Sequence, residues 1–554
     1  MKKLPIGISG LEKIIKGDYV YVDKTRHIYT LANTGGGYYF LSRPRRFGKS
    51  LLIDTIKEAY TGNKALFKGL FLEDNWDWEV SHPVIHLNFG ASSSFFTKQR
   101  FFTELDNSLE FHARQYGVTL TQTDYGVKFG ELIRGLYEKL GQRVVVLVDE
   151  YDKPILDNLH DSDVAYQMRE ILKGLYTYIK QSDPYLEFAM LTGVSKFSKI
   201  SLFSDLNNLN DITLDGRYAD ICGYNQVELE VSFREHLRQG DVDYSLLKRW
   251  YNGYNFTGSE AQKVYNPFDI LLFIDNNYRY QAYWFETATP TYLIKLIQNN
   301  HYFIPELENL VVGEDVLKTF DIDNMPIETL LFQTGYLTVK QTTTIGMTYA
   351  YELIYPNLEV KSSLNNALAG IASRTADKNR HLQRLDQALF KAEFEILGSV
   401  FSAHFASIPN DWYRNNKIEQ YEGSSRENEE HCSSPSDARS MERRAGIQAS
   451  QDALGEGFYA SIVYSFLAAL GYDLIAEDVT NQGRIDLTLI LMDKIIIIEF
   501  KLVKYGDATA AIEQIQSRGY AEKYQNQGKD IYLLGISFDP EARNVSDIRS
   551  VKTQ

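Results

Sequence analysis

The stretch YYFLSRPRRFGKSLLIDTI, residues 38–56, decides the fold of the N-terminal half of the chain. Its first part, 38–42, has the aromatic and apolar composition of a strand, and the apolar residues after Gly48 recur with helical spacing. A helix that starts directly after a strand presents its free N–H groups and the positive end of its dipole, which bind phosphate. The pattern therefore predicts a strand, a phosphate-binding loop and a helix.

The loop contains the last three residues of the Walker A pattern GxxxxGK[ST], namely Gly48, Lys49 and Ser50. We expect Lys49 to reach the β and γ phosphates of a nucleotide and Ser50 to ligate Mg²⁺. Arg43 stands in the place of the first glycine, and arginine cannot adopt a positive φ as easily as glycine does. Guanidinium groups suit phosphate oxygens, so Arg43, Arg45 and Arg46 can compensate with charge, and we expect Arg43 and Arg46 to contact the nucleotide together with the three motif residues.

A second motif, RVVVLVDEYD at 143–152, has the pattern of a Walker B strand. Its apolar run 144–148 predicts a buried strand that delivers Asp149 and Glu150 at its C-terminal end, where open α/β sheets place ligand groups. We expect Asp149 to hold Mg²⁺ and Glu150 to polarise the attacking water. The alternative is a surface acidic turn, but the upstream loop makes a nucleotide site the preferred interpretation.

For each of two polar residues near these motifs, the sequence allows two roles. Thr192 ends the apolar run 186–193 and is either a sensor of the γ-phosphate or an ordinary turn residue. Arg217 is either an arginine finger or an exposed surface residue, and the surface interpretation is preferred.

The chain alternates β-rich runs with helical patterns from Tyr38 to about Glu230, which predicts a mainly parallel sheet in an α/β multidomain protein. One segment, 424–457, has seven Ser and no aromatic residue, which is typical of a flexible insertion. For the middle region, a winged-helix arrangement stays open. The expected division is 1–230 for the phosphate-loop domain, 231–375 for a helical middle domain, 376–423 for a helical connector, 424–457 for the insertion and 458–554 for a C-terminal α/β domain.

A second candidate site lies in NQGRIDLTLILMDKIIIIEFKLVKYG, residues 481–506. Asp486 begins one strand, a hairpin follows at 492–494, and the partner strand carries Glu499 and Lys501 on one face because side chains alternate along a strand. Two carboxylates suit Mg²⁺ or Mn²⁺, and a lysine can orient water or stabilise charge on phosphate. The three residues predict metal-dependent phosphodiester hydrolysis, with an exposed ion pair on a hairpin as the alternative.

The N-terminal motifs resemble those of a bacterial AAA-ATPase-like family, whose phosphate loop also carries arginine. The resemblance covers about residues 4–300 and implies binding and hydrolysis of ATP with Mg²⁺. The residues that carry it are YVDKT (21–25), FLSRPRRFGKSLL (40–52), VVVLVDEYDKP (144–154), LTGVSKFS (191–198), YNGYNF (251–256), VYNPFDIL (264–271) and YWFETATPTYLI (283–294).

The C-terminal spacing Asp-x12-Glu-x-Lys resembles the PD-(D/E)XK nuclease superfamily over about 458–538. This resemblance implies a restriction-endonuclease-like fold that acts on DNA or RNA. Gln514 and Tyr520 match the downstream helix signature, and Glu477 is a candidate additional acidic residue.

Charge and composition limit these interpretations. The chain has 58 Lys and Arg against 73 Asp and Glu, a net charge of −15, which argues against a broad nonspecific grip on nucleic acid. Residues 458–554 have 10 basic and 13 acidic side chains, a net charge of −3, so a nuclease here needs help from metal ions or another chain. The two cysteines exclude a disulfide framework and a four-cysteine zinc site.

The sequence favours a cytoplasmic protein, because no apolar run approaches the ~18–20 residues that a membrane-spanning helix needs. The leading hypothesis is an ATP-binding, ATP-hydrolysing protein coupled to a metal-dependent nuclease-like domain. The alternative is a nucleotide-dependent switch or scaffold whose nuclease-fold domain binds a partner without cleaving it. DNA or RNA as partner and a homo-oligomer both stay open.

Overall fold

The structure is a computed structural model. It describes residues 1–34, 37–91, 97–159, 161–196, 208–288, 293–294, 296–297, 302–318, 326–371, 375–407 and 456–553. The chain divides into two compact units, which we describe separately. The first consists of Met1–Leu293 with Asn309–Val360, and the second of Ile294–Glu308 with Lys361–Gln554.

A parallel sheet of five strands, counted over the described residues, forms the base of the first unit. Its order is β2-β3-β4-β1-β5. Every residue of β1 and β3 is buried, as expected for inner strands of a parallel sheet. The C-terminal ends of β3, β4 and β1 therefore meet at one edge. The strands are β1 (Tyr38–Ser42), β2 (Val84–Asn88), β3 (Val144–Asp149), β4 (Leu186–Gly193) and β5 (Asn210–Asp211).

Amphipathic helices pack their apolar faces on this sheet and form its main core. Three of the longer ones begin at a side-chain cap, because Thr97, Asp124 and Asp161 each accept a backbone N–H of the first turn. The helices of this part are Leu11–Lys16, Thr25–Asn33, Lys49–Tyr60, Lys98–Tyr116, Tyr125–Leu140, Lys153–Leu156 and Ser162–Gln181.

The rest of the first unit is mainly helical and includes a small antiparallel sheet. The sheet has the order β6-β8-β7, with strands β6 (Leu310–Gly313), β7 (Thr338–Ile345) and β8 (Thr348–Ile354). This region lies in the same compact unit as the phosphate loop, so the division at 230/231 stays a prediction. Its helices are Gln226–Ser232, Arg234–Gln239, Tyr244–Tyr251, Pro267–Asp275, Tyr283–Ala288, Glu314–Lys318 and Ile327–Thr334.

The second unit is built on a mixed sheet with the order β13-β12-β11-β10-β9. Neighbouring strands are antiparallel, except that β11 and β12 are parallel. One face of β11 packs against the helix Ala508–Ser517, and the other face packs against the helical layer formed by the remaining helices of the unit. The strands are β9 (Asp473–Thr480), β10 (Gly483–Ile490), β11 (Lys494–Leu502), β12 (Asp530–Asp539) and β13 (Asn544–Lys552).

This mixed sheet is consistent with a nuclease fold, and together with the parallel sheet of the first unit it confirms the predicted α/β multidomain class. The predicted hairpin at 492–494 is present, with Leu491 N donating to Lys494 O at 2.8 Å. The helices of the second unit are Leu358–Ile371, which begins in the first unit, Thr375–Lys391, Phe394–Ser407, 456–469 and Ala508–Ser517.

The predicted insertion and part of the connector fall outside the described residues, namely 408–455. Glu456 and Gly457, which the prediction assigns to the insertion, are helical and begin the described part of the helix 456–469. Within the described ranges, no helix is both long enough and apolar enough to cross a membrane.

Candidate active sites

The phosphate loop folds around the side chain of its own lysine. Gly48 has φ +94°, in the left-handed region that favours glycine, and ends the loop. Lys49 is buried, and its Nζ donates to the carbonyl oxygens of Arg43 at 2.8 Å and Pro44 at 2.9 Å. Burial lowers the pKa of Lys49, and the negative charge of Glu150 opposes this shift. The ammonium group therefore lies inside the loop, close to the acidic motif.

The Arg43 side chain lies elsewhere than the sequence predicts. It is 1% exposed, and its guanidinium donates to the carbonyl oxygens of Ser42, Thr213 and Tyr218 at 2.9, 2.8 and 3.1 Å. The same group lies 3.8 Å from the ring centroid of Phe256. Because these protein groups surround it, the Arg43 guanidinium is not available to a nucleotide, and the predicted contact is corrected on this ground. It supports the loop from within the fold.

The next two arginines of the loop are exposed and line a common cavity. Arg46 has φ +67°, an unusual value for a residue with a Cβ, and its guanidinium lies 4.9 Å from the ring centroid of Phe268. The carbonyl oxygen of Arg45 accepts a hydrogen bond from Trp284 Nε1 at 3.1 Å. The positive φ values of the loop thus belong to Arg46 and Gly48, whereas the φ of Arg43 is not positive.

Asp149 is the last residue of β3, and Glu150 follows it directly. Asp149 is 1% exposed, and its Oδ1 accepts hydrogen bonds from Thr192 Oγ1 at 2.7 Å and from Glu150 N at 3.1 Å. Its Oδ2 is buried and, within the described part of the chain, has no hydrogen-bond partner. Glu150 has φ +52°, and burial raises its pKa. Strained backbone and shifted pKa values of this kind cluster at functional sites.

A cavity of about 550 Å³ joins the loop to the acidic motif. Lys49, Ser50 and Glu150 line one part of it together with Arg45 and Arg46. The rest of the lining is largely apolar, and its size and composition suit a nucleoside. The apolar and aromatic residues include Pro5, Ile8, Val20, Val22, Ile28, Leu52, Tyr224, Phe268 and Leu271.

The donors at this site fit Mg²⁺. Asp149 offers a carboxylate oxygen that receives no hydrogen bond from the described residues, and Ser50 offers a hydroxyl in the cavity lining. Both are hard oxygen ligands of the type that Mg²⁺ prefers, and Mg²⁺ takes its remaining ligands from water and phosphate.

The C-terminal site brings Asp486 and Glu499 together across β10 and β11. Asp486 Oδ2 accepts a hydrogen bond from Phe500 N at 2.8 Å, and Glu499 Oε2 accepts one from Gln514 Nε2 at 3.1 Å. Glu499 is 1% exposed, and its Oε1 receives no hydrogen bond from a described donor. Burial and the negative charge of Asp486 raise the pKa of Glu499 well above its usual range.

Two more charged groups act on this carboxylate pair. The positive charge of Lys501 opposes the rise in the pKa of Glu499, so the lysine is close to the pair as predicted. Glu456, at the start of the helix 456–469, hydrogen bonds to the backbone of Leu502. Burial and the charge of Asp486 raise the pKa of Glu456 to about 7. The sequence analysis missed Glu456 because it assigned this residue to the insertion.

The carboxylate pair fits a divalent cation, because a buried, unsatisfied Glu499 oxygen beside a second carboxylate is stabilised by a positive ion. Among the described residues, no group of three or more His, Cys, Asp and Glu side chains is arranged to hold one ion. The protein ligands available here are therefore the pair, and water or phosphate oxygens would complete the coordination.

Comparisons with known proteins match the two regions of the chain that carry these sites. A family model described as a predicted AAA-ATPase covers residues 5–203, and a PD-(D/E)XK nuclease superfamily model covers residues 454–548. A relative from Azotobacter chroococcum mcd 1, an uncharacterized protein in the vnfD 5′ region, is 43% identical over 546 residues, which is 98% of each chain. The chain belongs to the predicted AAA-ATPase family and carries a PD-(D/E)XK nuclease superfamily domain.

The structure describes the positions of Thr192 and Arg217, for each of which the sequence allows two roles. Thr192 lies at the end of β4 and donates to Asp149, so it orients the Asp149 carboxylate. Arg217 is paired with Asp215 at 2.6 Å and its side chain is 55% exposed, which agrees with the preferred surface interpretation.

In the PD-(D/E)XK domain, both residues of the helix signature support the site. Gln514 contacts Glu499 directly, and Tyr520 Oη donates to Arg484 O at 3.0 Å beside β10. Glu477 is paired with Arg484, and its own φ is +52°. Burial raises the pKa of Glu477, and the charge of Asp486 adds to this shift, so Glu477 lies close enough to influence the pair.

Proposed function

We propose that the protein binds and hydrolyses ATP at its AAA-ATPase domain and cleaves phosphodiester bonds of DNA or RNA at its PD-(D/E)XK domain. The observation that carries the first half is the cavity in which Lys49, Ser50 and Glu150 meet beside the buried carboxylate of Asp149. The second half rests on the Asp486–Glu499 pair with Lys501 and Gln514 around it.

At the ATPase site, each residue has a separate task. Lys49 exchanges its carbonyl partners for β and γ phosphate oxygens, and the N–H groups at the start of its helix bind the same phosphates. Ser50 and Asp149 hold Mg²⁺, which when bound neutralises phosphate charge. Glu150, held half-buried against the cavity, accepts a proton from the attacking water.

At the nuclease site, Asp486 and Glu499 hold Mg²⁺ or Mn²⁺, which when bound activates water and stabilises the charge on the phosphate. Gln514 fixes one oxygen of Glu499 and leaves the other directed toward the site. Lys501 supplies a positive charge for the scissile phosphate or for the attacking water. Because an ammonium group cannot ligate a cation, removing it should spare metal binding.

The ATPase half is tested with Lys49→Ala and Glu150→Gln in the full chain. We expect Lys49→Ala to weaken ATP binding severely, since it removes the charge at the phosphates. Glu150→Gln should keep Mg²⁺–ATP affinity and slow turnover by about 10²–10⁴-fold, the usual contribution of a general base. Calorimetric titration with a nonhydrolysable ATP analogue gives affinity, and release of phosphate gives turnover. Unchanged affinity in Lys49→Ala would overturn the site, and unchanged turnover in Glu150→Gln would require another base.

A further inference from the structure

The three arginines of the phosphate loop lie in three different environments. Arg43 is buried, and its guanidinium already donates its hydrogen bonds to backbone carbonyls of the protein. Arg46 lies over the ring of Phe268. Arg45 is exposed and lines the cavity that also contains Lys49 and Glu150. Arg46 lines the same cavity with its guanidinium over that ring, which leaves Arg45 as the loop arginine of this cavity that is available to a phosphate.

The backbone of Arg45 is fixed although its side chain is exposed. Its carbonyl oxygen accepts the indole N–H of Trp284 at 3.1 Å, and Trp284 is fully buried. The backbone N–H of Trp284 in turn donates to Glu359 Oε1 at 2.8 Å, and Glu359 is fully buried too. A side chain that extends from a fixed backbone loses less entropy when it orders on a ligand.

Arg45 also lines the same cavity as Glu150, the group that we assign as the general base. A cation that lines this cavity together with the base is available to the phosphoryl group that the water attacks. The negative charge of a phosphoryl group in its transition state is spread over its equatorial oxygens, and a guanidinium fork suits them.

We propose that Arg45 is a catalytic arginine supplied by the phosphate loop itself, and that Trp284 is its positioning residue. This inference rests on the proposed ATPase function. The water oxygen bonds to the γ-phosphorus while the bond to the β,γ-bridging oxygen breaks and its electron pair stays on ADP. A proton of the water passes to Glu150, and Arg45 donates hydrogen bonds to the γ-phosphoryl oxygens during the transfer. The products are ADP and inorganic phosphate.

The test compares Arg45→Ala with Arg143→Ala in the full chain. Arg143 is a suitable control because it precedes β3 at the opposite edge of the sheet and its side chain is 59% exposed. We expect Arg45→Ala to lower kcat by about 10²–10³-fold, as the loss of a group that stabilises the transition state does. Its affinity for a nonhydrolysable ATP analogue should change by less than about tenfold, since Lys49 and the loop amides remain. Arg143→Ala should change neither value.

Trp284→Phe tests the positioning role, because phenylalanine keeps the ring but cannot donate to Arg45 O. We expect a lower kcat with little change in ATP affinity, a Tm lowered by the cavity that the smaller ring leaves, and little further loss of kcat when Trp284→Phe is added to Arg45→Ala. This non-additivity is the signature of two residues that act through one contact. A merely structural tryptophan would leave kcat unchanged on substitution or would add its effect on kcat in full, and either result would overturn the positioning role.

The outcomes separate the inference from the function on which it rests. A wild-type protein that binds ATP but never hydrolyses it would overturn the proposed ATPase function and this inference with it. A hydrolysing wild type whose Arg45→Ala variant turns over at the same rate would overturn the inference alone. A variant that loses affinity and keeps its kcat would show that Arg45 binds the ground state and is not catalytic.

Discussion

Replacing Arg43 by methionine distinguishes the nucleotide contact that the sequence predicts from the structural role that its buried hydrogen bonds indicate. If Arg43 bound nucleotide, the variant would fold normally and bind ATP poorly. The structure predicts the reverse, because the guanidinium is buried and its hydrogen bonds go to carbonyls of Ser42, Thr213 and Tyr218. Methionine fills part of the volume but leaves those three acceptors without their donor.

The size of the effect follows from these contacts. A hydrogen bond to a charged group contributes about 1.5–3 kcal/mol, and a cation over an aromatic ring adds about 0.5–2 kcal/mol. The sum overstates the loss, because the guanidinium no longer has to be desolvated and the carbonyls partly rearrange. We expect the free energy of unfolding of the first unit to fall by about 3–5 kcal/mol, which lowers Tm by about 5–10 °C.

Calorimetric melting and ATP titration measure the two quantities independently. The titration is done with a nonhydrolysable analogue at a temperature at which both proteins are folded, and Arg143→Met serves as an exposed control. We expect a lower Tm for Arg43→Met and an ATP affinity within about tenfold of the wild type, since Lys49 still supplies the phosphate contact. An unchanged Tm with a large loss of affinity would refute the structural role and restore Arg43 as a nucleotide contact.

Three further predictions concern the base, a buried acid pair and the metal ions. A Cβ at Gly90 would lie 2.6 Å from Glu150 Oε2, so Gly90→Ala should displace this carboxylate. We expect ATP turnover to fall about tenfold or more while ATP binding is unchanged. Turnover equal to that of the wild type would contradict the position of Glu150 as the base. Burial raises the pKa of both Asp269 and Glu359, so the folded pair keeps protons that the unfolded chain releases above about pH 4. Stability from this pair is fully present below about pH 4 and is lost as pH rises through the folded pKa values, of which that of Glu359 is about 7. Tm should therefore fall between about pH 4 and neutral pH, and more steeply than in Glu359→Gln; equal slopes would refute the assignment. Chelation of divalent cations should stop ATP turnover and strand cleavage and leave the far-ultraviolet circular dichroism unchanged, whereas activity in excess chelator would exclude both metal sites.

Local patterns were sufficient to predict the elements that carry both sites. The strand at 38–42, the Gly48–Ser50 turn and its helix follow from residue spacing within a short window. The hairpin that places Asp486 beside Glu499 is equally local, because the turn at 492–494 fixes its register. In each case the side-chain period of the element determines which residues share a face.

Residues whose environment comes from distant segments could not be predicted in this way. The guanidinium of Arg43 faces Thr213, Tyr218 and Phe256, which lie far along the chain, and its sequence context of arginines suggests phosphate instead. Glu456 follows a segment without aromatic residues, and only the packed sheet shows that it approaches Asp486. Its position in the first turn of an apolar helix, 456–469, was the signal that could have found it.

The central claim is that one chain joins an ATPase site to an independent nuclease site, and strand cleavage tests it most directly. Wild type, Asp486→Asn and Lys49→Ala are incubated with end-labelled single- and double-stranded DNA and RNA in Mg²⁺ or Mn²⁺, with and without ATP. We expect the wild type to cleave at least one substrate and Asp486→Asn to cleave none while it binds ATP with wild-type affinity, because the two sites use different strands and different carboxylates. Any difference in cleavage that ATP produces in the wild type should be absent in Lys49→Ala. Cleavage that persists in Asp486→Asn, or a wild type that cleaves no substrate under any of these conditions, would contradict the account, and the second result would favour a nucleotide-dependent scaffold.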